Sequence, residues 1–137
     1  MIKRAARSHR SQCAISRSLD VLGDRWTLLI VRDLLFAGLR SYGDFLTSGD
    51  GIATNILAAR LEILETAGII KSKADPTDGR KLIYRLTPKG TELAPILLEL
   101  GTWGIKYEGG TRPKELSQRW EVDPKGLLAA LANNHSR

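Results

Sequence analysis

The sequence is poor in the residues that build disulfides, metal centres and redox sites. It has one cysteine, Cys13, and its two histidines, His9 and His135, lie far apart along the chain. A single thiol cannot form a disulfide within the chain, and isolated histidines lack the spacing of metal ligands. We therefore expect a protein of the reducing cytoplasm that holds no metal.

Long apolar runs are also missing. The best candidate for a membrane span, residues 26–39, is interrupted by Arg32 and Asp33, whereas about 20 apolar residues are needed to cross a bilayer. Residues 1–12 are basic and lack an apolar core, which argues against a secretory signal and leaves a transit peptide as an alternative. We interpret them as a flexible basic arm and expect no membrane partner.

Enzyme signatures are equally scarce. The sequence shows no Ser–His or Cys–His arrangement, no P-loop and no GxGxxG motif, so we expect a binding protein and not an enzyme. The 137 residues are 42% hydrophobic and 26% charged, which indicates one soluble globular domain. A net charge of +6 favours a polyanionic partner. The alternative is a surface that is basic only for solubility.

Two helices are predicted before residue 40. Apolar residues spaced i, i+4 and i+7 over residues 15–22 predict a short amphipathic helix that ends at Gly23. Residues 25–36 are apolar nearly all round, which predicts a central, buried helix that stops at Gly38.

A helix-turn-helix pattern follows. Ser41 can cap a short helix through Leu46 by accepting a backbone N–H. A glycine-rich turn, residues 49–51, then leads to a long helix at about residues 53–67, which Gly68 ends. A short helix, a tight turn and a longer helix form a helix-turn-helix.

A basic two-stranded ribbon comes next. Residues 69–75 and 80–86 predict strands, and the Pro-Thr-Asp-Gly sequence between them predicts a tight turn. Residues 52–90 contain seven Lys/Arg and four Asp/Glu, a net charge of +3. Such a helix suits the DNA major groove, and such a ribbon can reach phosphates or the minor groove.

The C-terminal part is predicted to be helical. Thr87 caps a helix over residues 88–107 that Pro95 should bend. Its apolar stripe, together with the first helix, is the predicted dimer surface. The stripe consists of Leu93, Ile96, Leu97, Leu100 and Trp103. A last short helix is predicted over residues 125–132.

Several short motifs together resemble the HxlR-type branch of the winged helix-turn-helix regulators, which are relatives of the MarR group. The resemblance covers about residues 13–107. The motifs that carry it are Cys13, residues 19–27 (LDVLGDRWT), Arg40-Ser41-Tyr42-Gly43-Asp44, residues 52–65, the Asp78-Gly79-Arg80 turn, residues 86–90 (LTPKG) and Trp103-Gly104. The resemblance implies a cytoplasmic, dimeric, DNA-binding regulator without a cofactor.

The chain departs from the family pattern at some presumed contact positions. Ala53, Ala58 and Ala59 stand where the family commonly has Ser, Thr or Gln, and Ser41 replaces a frequent Arg. Alanine cannot form hydrogen bonds with base edges, so the family's base contacts do not transfer to these positions.

The outward face of the long helix holds the candidate base-reading residues. If Leu57 marks the buried face, a rotation of about 100° per residue turns Leu61 and Leu64 inward. The candidates on the outer side are Thr54, Asn55, Ala58 and Ala59. Asn can bind adenine with two hydrogen bonds, and Ala can touch a thymine methyl. In the alternative, Thr54 only caps the helix and Asn55 is solvated.

The ribbon tip carries two further DNA-binding candidates, Arg80 and Lys81. A long cationic side chain that follows a glycine turn can enter a narrow groove. The alternative for Arg80 is a local pair with Asp78, and the two roles are compatible.

Three more arginines are candidates for phosphate contact. Arg25 and Arg40 lie at helix starts, where a solvated surface charge is the alternative. Arg60 lies at the edge of the buried face, and a hydrogen bond to a neighbouring helix is equally compatible with its position.

Cys13 is a candidate sensor of oxidants or electrophiles. A thiol at a helix N-terminus, flanked by Arg10 and Arg17, can be more acidic than usual. The favoured alternative is a small, buried packing residue.

The sequence thus predicts a mainly α fold with a small β-wing, a winged helix-turn-helix that dimerises through its terminal helices. The predicted organisation is a basic arm (1–12), the winged domain with its dimerisation helix (13–110) and a C-terminal helical extension (111–137). The predicted function is that of a homodimeric, sequence-specific transcriptional regulator on a near-palindromic operator in double-stranded DNA, with a small-molecule inducer as a candidate further partner. The alternatives are a protein-interaction module and a non-specific architectural nucleic-acid binder.

Overall fold

The computed structural model describes residues 11–135, so the predicted basic arm lies almost entirely outside the described residues. The described chain consists of helices and one two-stranded sheet. In chain order these are α1 Ala14–Leu22, α2 Thr27–Arg32 with a π-helical turn Asp33–Ala37, α3 Tyr42–Leu46, α4 Thr54–Thr66, β1 Ile70–Ala74, β2 Leu82–Leu86, α5 Pro88–Thr91, α6 Ala94–Glu108, α7 Lys114–Val122 and α8 Pro124–Asn134. None of the helices within residues 11–135 is long and apolar enough to cross a membrane.

The central buried helix begins two residues later than its apolar pattern predicts. The Asp24 carboxylate accepts hydrogen bonds from the backbone N–H groups of Trp26 and Thr27 at 2.8 and 2.9 Å. It also accepts one from the Thr27 hydroxyl. These bonds satisfy the backbone N–H groups of Trp26 and Thr27, which places the start of α2 at Thr27.

The helix-turn-helix forms as the sequence predicts. Ser41 caps α3, because its Oγ accepts the N–H of Asp44 at 3.1 Å while the Asp44 carboxylate accepts the N–H of Ser41. This reciprocal arrangement is a capping box. Leu57, Leu61 and Leu64 of α4 are buried in the core, as the predicted face requires. Asp44 has a lowered pKa because it accepts the backbone N–H groups of Arg40 and Ser41.

The wing has shorter strands and a longer loop than the sequence predicts. Strands β1 and β2 are antiparallel and pair from Ile70 with Leu86 to Ala74 with Leu82. The Asp75 side chain accepts the N–H of Thr77 at 2.8 Å, and the backbone carbonyl of Asp78 accepts the N–H of Lys81 at 2.9 Å. Two successive turns therefore replace the single predicted turn.

The predicted helix over residues 88–107 is broken and not bent. Helix α5 ends at Thr91 and α6 begins at Ala94. Pro95 lies in the first turn of α6, where its missing N–H costs nothing. Gly90 explains how α5 approaches the wing so closely, since a Cβ there would lie 2.3 Å from the carbonyl oxygen of Ile69.

The C-terminal helices complete the core. Helix α7 was not predicted, and α8 is longer than the predicted helix over residues 125–132. Leu127 and Leu131 of α8 are buried in the same hydrophobic core as α2 and α4. Helix α8 packs against α5, α6 and α7, so the predicted extension packs onto the winged domain.

Candidate nucleic-acid interface

The outer face of α4 is exposed and carries small side chains. Thr54, Asn55, Ala58 and Ala59 are all exposed, as predicted. The alternative in which Thr54 caps the helix is wrong, because Ala53 occupies the cap position and supplies no side-chain hydrogen bond. Instead the backbone carbonyl of Thr54 accepts a hydrogen bond from the Tyr42 hydroxyl at 3.0 Å, which joins α3 to the start of α4.

Arg60 faces a neighbouring helix. Its Nε lies 3.6 Å from a carboxylate oxygen of Asp24, which is an ion pair and too long for a hydrogen bond. Partial burial alone would raise the pKa of Asp24, but the hydrogen bonds from Thr27 and Trp26 and the charge of Arg60 lower it. The charged Asp24 thus links the segment before α2 to α4. The contact of Arg60 is this ion pair and not the predicted hydrogen bond to a neighbouring helix, and its phosphate contact stays a prediction.

One contact that holds the turn of the helix-turn-helix could not be predicted from local sequence patterns. Arg32 donates hydrogen bonds to Asp33 at 2.8 Å and to Asp50 in the turn before α4. Burial alone would lower the pKa of Arg32, but these two carboxylates raise it. Because 18 residues separate Arg32 from Asp50, no local pattern could have revealed the pair.

The arginines at helix starts are both exposed. The Arg25 guanidinium lies 5.1 Å from the centre of the Trp26 ring, in a cation–π arrangement. The backbone carbonyl of Arg40 accepts the N–H of Tyr84 at 2.8 Å, which places Arg40 at the base of the wing. This backbone hydrogen bond joins Arg40 to the wing strand β2, whereas the Arg25 side chain contacts its chain neighbour Trp26.

The wing tip presents Arg80 to solvent. Its side chain is 93% exposed, and its Nε lies 3.3 Å from Asp78. The predicted local pair with Asp78 is thus present, and such an exposed pair contributes little that would hold the arginine in place. Lys81 is exposed beside it.

The apolar stripe of α6 is only partly exposed to solvent. Ile96, Leu100 and Trp103 are 47%, 52% and 55% exposed. Leu97 is half-buried and packs against the core. The prediction that Leu93 belongs to an interface surface is wrong for the single chain, because the break between α5 and α6 turns its side chain into the core.

Helix α1 adds exposed apolar side chains near the N-terminus. Ile15 and Leu19 are 73% and 57% exposed, and no residue of α1 is buried. Cys13 caps this helix and is exposed. The alternative that Cys13 is a buried packing residue is therefore wrong for the single chain. Among the described residues no cluster of His, Cys, Asp or Glu could hold a metal ion.

Comparison with known proteins identifies the family. The model of the HxlR-like helix-turn-helix family matches residues 21–112. The chain belongs to the HxlR-like helix-turn-helix family. Its winged fold, with one small antiparallel sheet beside the helix-turn-helix, is that of transcriptional regulators in this group.

Named relatives of this HxlR-like protein are transcriptional regulators. An uncharacterised HTH-type regulator of Synechocystis is 36% identical over 95 residues, 69% of this chain and 70% of the relative. An uncharacterised HTH-type regulator from Mycobacterium tuberculosis is 36% identical over 101 residues, 73% of this chain and 63% of the relative. The regulator YvaP of Bacillus subtilis is 33% identical over 91 residues, 66% of this chain and 83% of YvaP.

Solved structures of regulators have the same fold. The reduced form of YodB from Bacillus subtilis is 30% identical with a TM-score of 0.58, and the match covers 74% of this chain and 100% of YodB. The oxidised form of the redox regulator HypR is 27% identical with a TM-score of 0.61, and the match covers 73% of this chain and 99% of HypR.

Proposed function

We propose that this HxlR-family protein is a sequence-specific, DNA-binding transcriptional regulator. The observation that carries the proposal is the division of α4 into a buried leucine face and an outer face of exposed small and polar side chains. Thr54 and Asn55 can donate and accept hydrogen bonds in the major groove, and Ala58 and Ala59 leave room for a close approach. The exposed Arg80 supplies the wing contact with the DNA backbone or minor groove.

The regulator acts as a homodimer on a near-palindromic operator. One α4 helix offers too few base contacts for useful specificity, and twofold symmetry doubles them across adjacent major grooves. The exposed apolar residues of α6 line one shallow groove and supply a dimer surface, since soluble monomers rarely expose large apolar patches. The exposed apolar residues of α1 are the second part of the proposed surface.

Selection of duplexes from a randomised pool separates this function from its alternatives. An enriched inverted repeat supports the dimeric regulator. Uniform, salt-sensitive retention of all duplexes identifies a non-specific architectural binder, because contacts with phosphates carry no sequence information. Failure to retain any duplex favours a module that binds a protein partner.

Arg80→Ala is expected to weaken binding to operator and to unrelated duplex alike. The exposed guanidinium would contact phosphates or the minor groove, so its loss should reduce affinity about tenfold and make the salt dependence shallower by about one charge. Titration of both duplexes at several salt concentrations measures this. Arg119→Ala, which removes an exposed cation of α7, is the matched control. Equal affinities for Arg80→Ala and wild type would remove Arg80 from the interface.

Asn55→Ala is expected to change specificity more than affinity. If Asn55 binds one adenine in each half-site, its loss should relax the preference at that base pair by about tenfold. Glu62→Ala, which changes another exposed residue of α4, serves as the control. Base-by-base substitution of the operator measures the preference. A loss that is uniform over all sequences would show that Asn55 reads no base.

We also propose that Cys13 senses oxidants or electrophiles. Its exposed thiol is accessible, and it begins α1, whose apolar face belongs to the proposed dimer surface. Solved structures of YodB include diamide-treated and quinone-bound forms, and HypR was solved oxidised and reduced. With one cysteine in this chain, any disulfide must join Cys13 to another molecule.

Diamide or a quinone is expected to change the operator affinity of wild type but not of Cys13→Ser. Modification at the start of α1 would tilt one DNA-reading unit against the other and alter the half-site spacing, to which paired major-groove binding is sensitive. Operator titration before and after treatment measures the change, and a reducing agent should reverse the effect of diamide. Identical responses of the two proteins would assign Cys13 no sensing role.

A further inference from the structure

A cavity lies between α6 and α7, and among its lining residues only Glu99 also borders the apolar stripe of α6. Its volume is about 500 Å³, which lies in the range of small-molecule sites, roughly 300–1,000 Å³. Helix α6 contributes Thr102 and Ile105, and α7 contributes Trp120 and Glu121. The family match ends at residue 112, so the α7 wall lies in a part of the chain that the family model does not cover.

The apolar wall of the cavity includes Ile105, a side chain that is not part of the core. Ile105 is 39% exposed, although it lies on the side of α6 away from the stripe. Ile105 follows Ile96 by nine residues, and about 100° per residue places the two on opposite sides of the helix. A dimer formed through Ile96, Leu100 and Trp103 would therefore leave Ile105 uncovered. The Trp120 ring forms a second apolar wall.

The guanidinium of Arg112 lies on the cavity lining and connects α6 to α7 through hydrogen bonds. Its Nε donates to the Ser117 hydroxyl at 3.0 Å, its Nη1 to the carbonyl of Leu98 at 2.8 Å and its Nη2 to the Thr102 hydroxyl at 3.2 Å. Three of its five N–H groups donate to protein oxygens, which fixes the guanidinium in place. Its single positive charge is outnumbered by the carboxylates of Glu99 and Glu121 on the same lining. Arg112 holds α6, the following loop and α7 in place.

Two carboxylates give the cavity its negative character. Glu99 accepts a hydrogen bond from the indole N–H of Trp120 at 3.0 Å, which fixes the ring against α6. Glu121 lies on the same lining and is exposed. An aromatic wall beside two carboxylates favours a cation, since the face of an indole ring attracts positive charge. A flat apolar body fits the remaining wall of Ile105.

We propose that this cavity binds a small organic cation with a flat apolar body, such as an aromatic amine. The ligand would lie between the Trp120 ring and Ile105, with its ammonium group near Glu99 and Glu121. The proposal that such a ligand binds depends only on the cavity. An effect of such a ligand on DNA affinity, through α6 and the stripe on its other side, rests in addition on the proposed function.

Three probes with one naphthalene ring test the charge preference. These are 1-naphthylmethylamine, 1-naphthylmethanol and 1-naphthylacetate, titrated calorimetrically into the protein without DNA. We expect the amine to bind one per chain and about tenfold more tightly than the alcohol, and the carboxylate to bind most weakly. The net charge of +6 works against this order, so a preference for the cation must arise locally. An amine that binds no more tightly than the alcohol or the carboxylate would overturn the proposal.

Variants locate the probe. Glu121→Gln should weaken binding of the amine about threefold or more and leave binding of the alcohol unchanged. Glu99 also borders the stripe, so Glu121, which does not line that surface, distinguishes the cavity from the stripe. Glu108→Gln at the end of α6 is the control and should bind the amine like wild type. Circular dichroism establishes that each variant is folded. Equal affinities of Glu121→Gln and wild type for the amine would overturn the proposal even if the amine binds.

Discussion

Leu100→Asp is expected to abolish the dimer and, with it, specific DNA binding. The Leu100 side chain is 52% exposed in the single chain and lies between Ile96 and Trp103 on the stripe of α6. In a twofold interface each substitution occurs twice. An unpaired carboxylate enclosed by apolar side chains costs several kcal/mol, so the variant should be monomeric or aggregated. Sedimentation at micromolar concentration and titration of the operator measure the two effects.

A matched control separates loss of the interface from a general effect of the added charge. Val122 is 83% exposed at the end of α7 and lies outside the stripe. Val122→Asp introduces the same charge and should sediment and bind DNA like wild type. A wild-type protein that sediments as a monomer, or a Leu100→Asp variant that remains a dimer, would contradict the assignment of the stripe.

Local patterns were enough to predict the helix-turn-helix half of the fold. The leucine spacing in α4 fixes its buried face, because residues three and four apart lie on one side of a helix. Ser41 followed by Asp44 places the start of α3, since the cap needs only neighbouring residues. The outward positions of Thr54 and Asn55 follow from the leucine face alone, and both side chains are exposed in the structure.

The errors arise where contacts distant in sequence decide the outcome. Leu93 belongs to a helical stripe by its spacing, but the break after Thr91 turns it into the core. The Arg32 pair with Asp50 joins α2 to the turn before α4, and the ion pair of Arg60 with Asp24 joins α4 to the segment before α2. A single sequence shows the charges but not which of them meet. It likewise does not show that Cys13 is left uncovered, because burial depends on every packed element.

Helix α7 escaped prediction because its apolar residues are few. Among residues 114–122, Leu116 and Trp120 pack against the core, whereas Val122 is exposed. The stronger pattern of α8 was recognised, but its place in the core was not. The packing of α8 in the core decides whether residues 111–137 form a separate extension or part of the winged domain.

Leu127→Ala is expected to destabilise the whole described domain and not only its C-terminal helices. Leu127 is 2% exposed and packs in the same core as the leucines of α4. Truncation of a buried leucine leaves a cavity and costs about 2–5 kcal/mol. Because α8 packs against α5 and α6, we expect one cooperative urea transition at a lower midpoint. Fluorescence and circular dichroism should report the same transition.

Leu82→Ala supplies the control for this prediction. It removes the same atoms from a side chain that is 46% exposed on the wing, so it should cost less than about 1 kcal/mol. The comparison must be made at one protein concentration, because dimerisation itself adds to the apparent stability. If Leu127→Ala cost no more than Leu82→Ala, or if it produced a separate early transition, α7 and α8 would be an independent extension. A single shifted transition would instead mean that α8 is stabilised by the same core that orients α4.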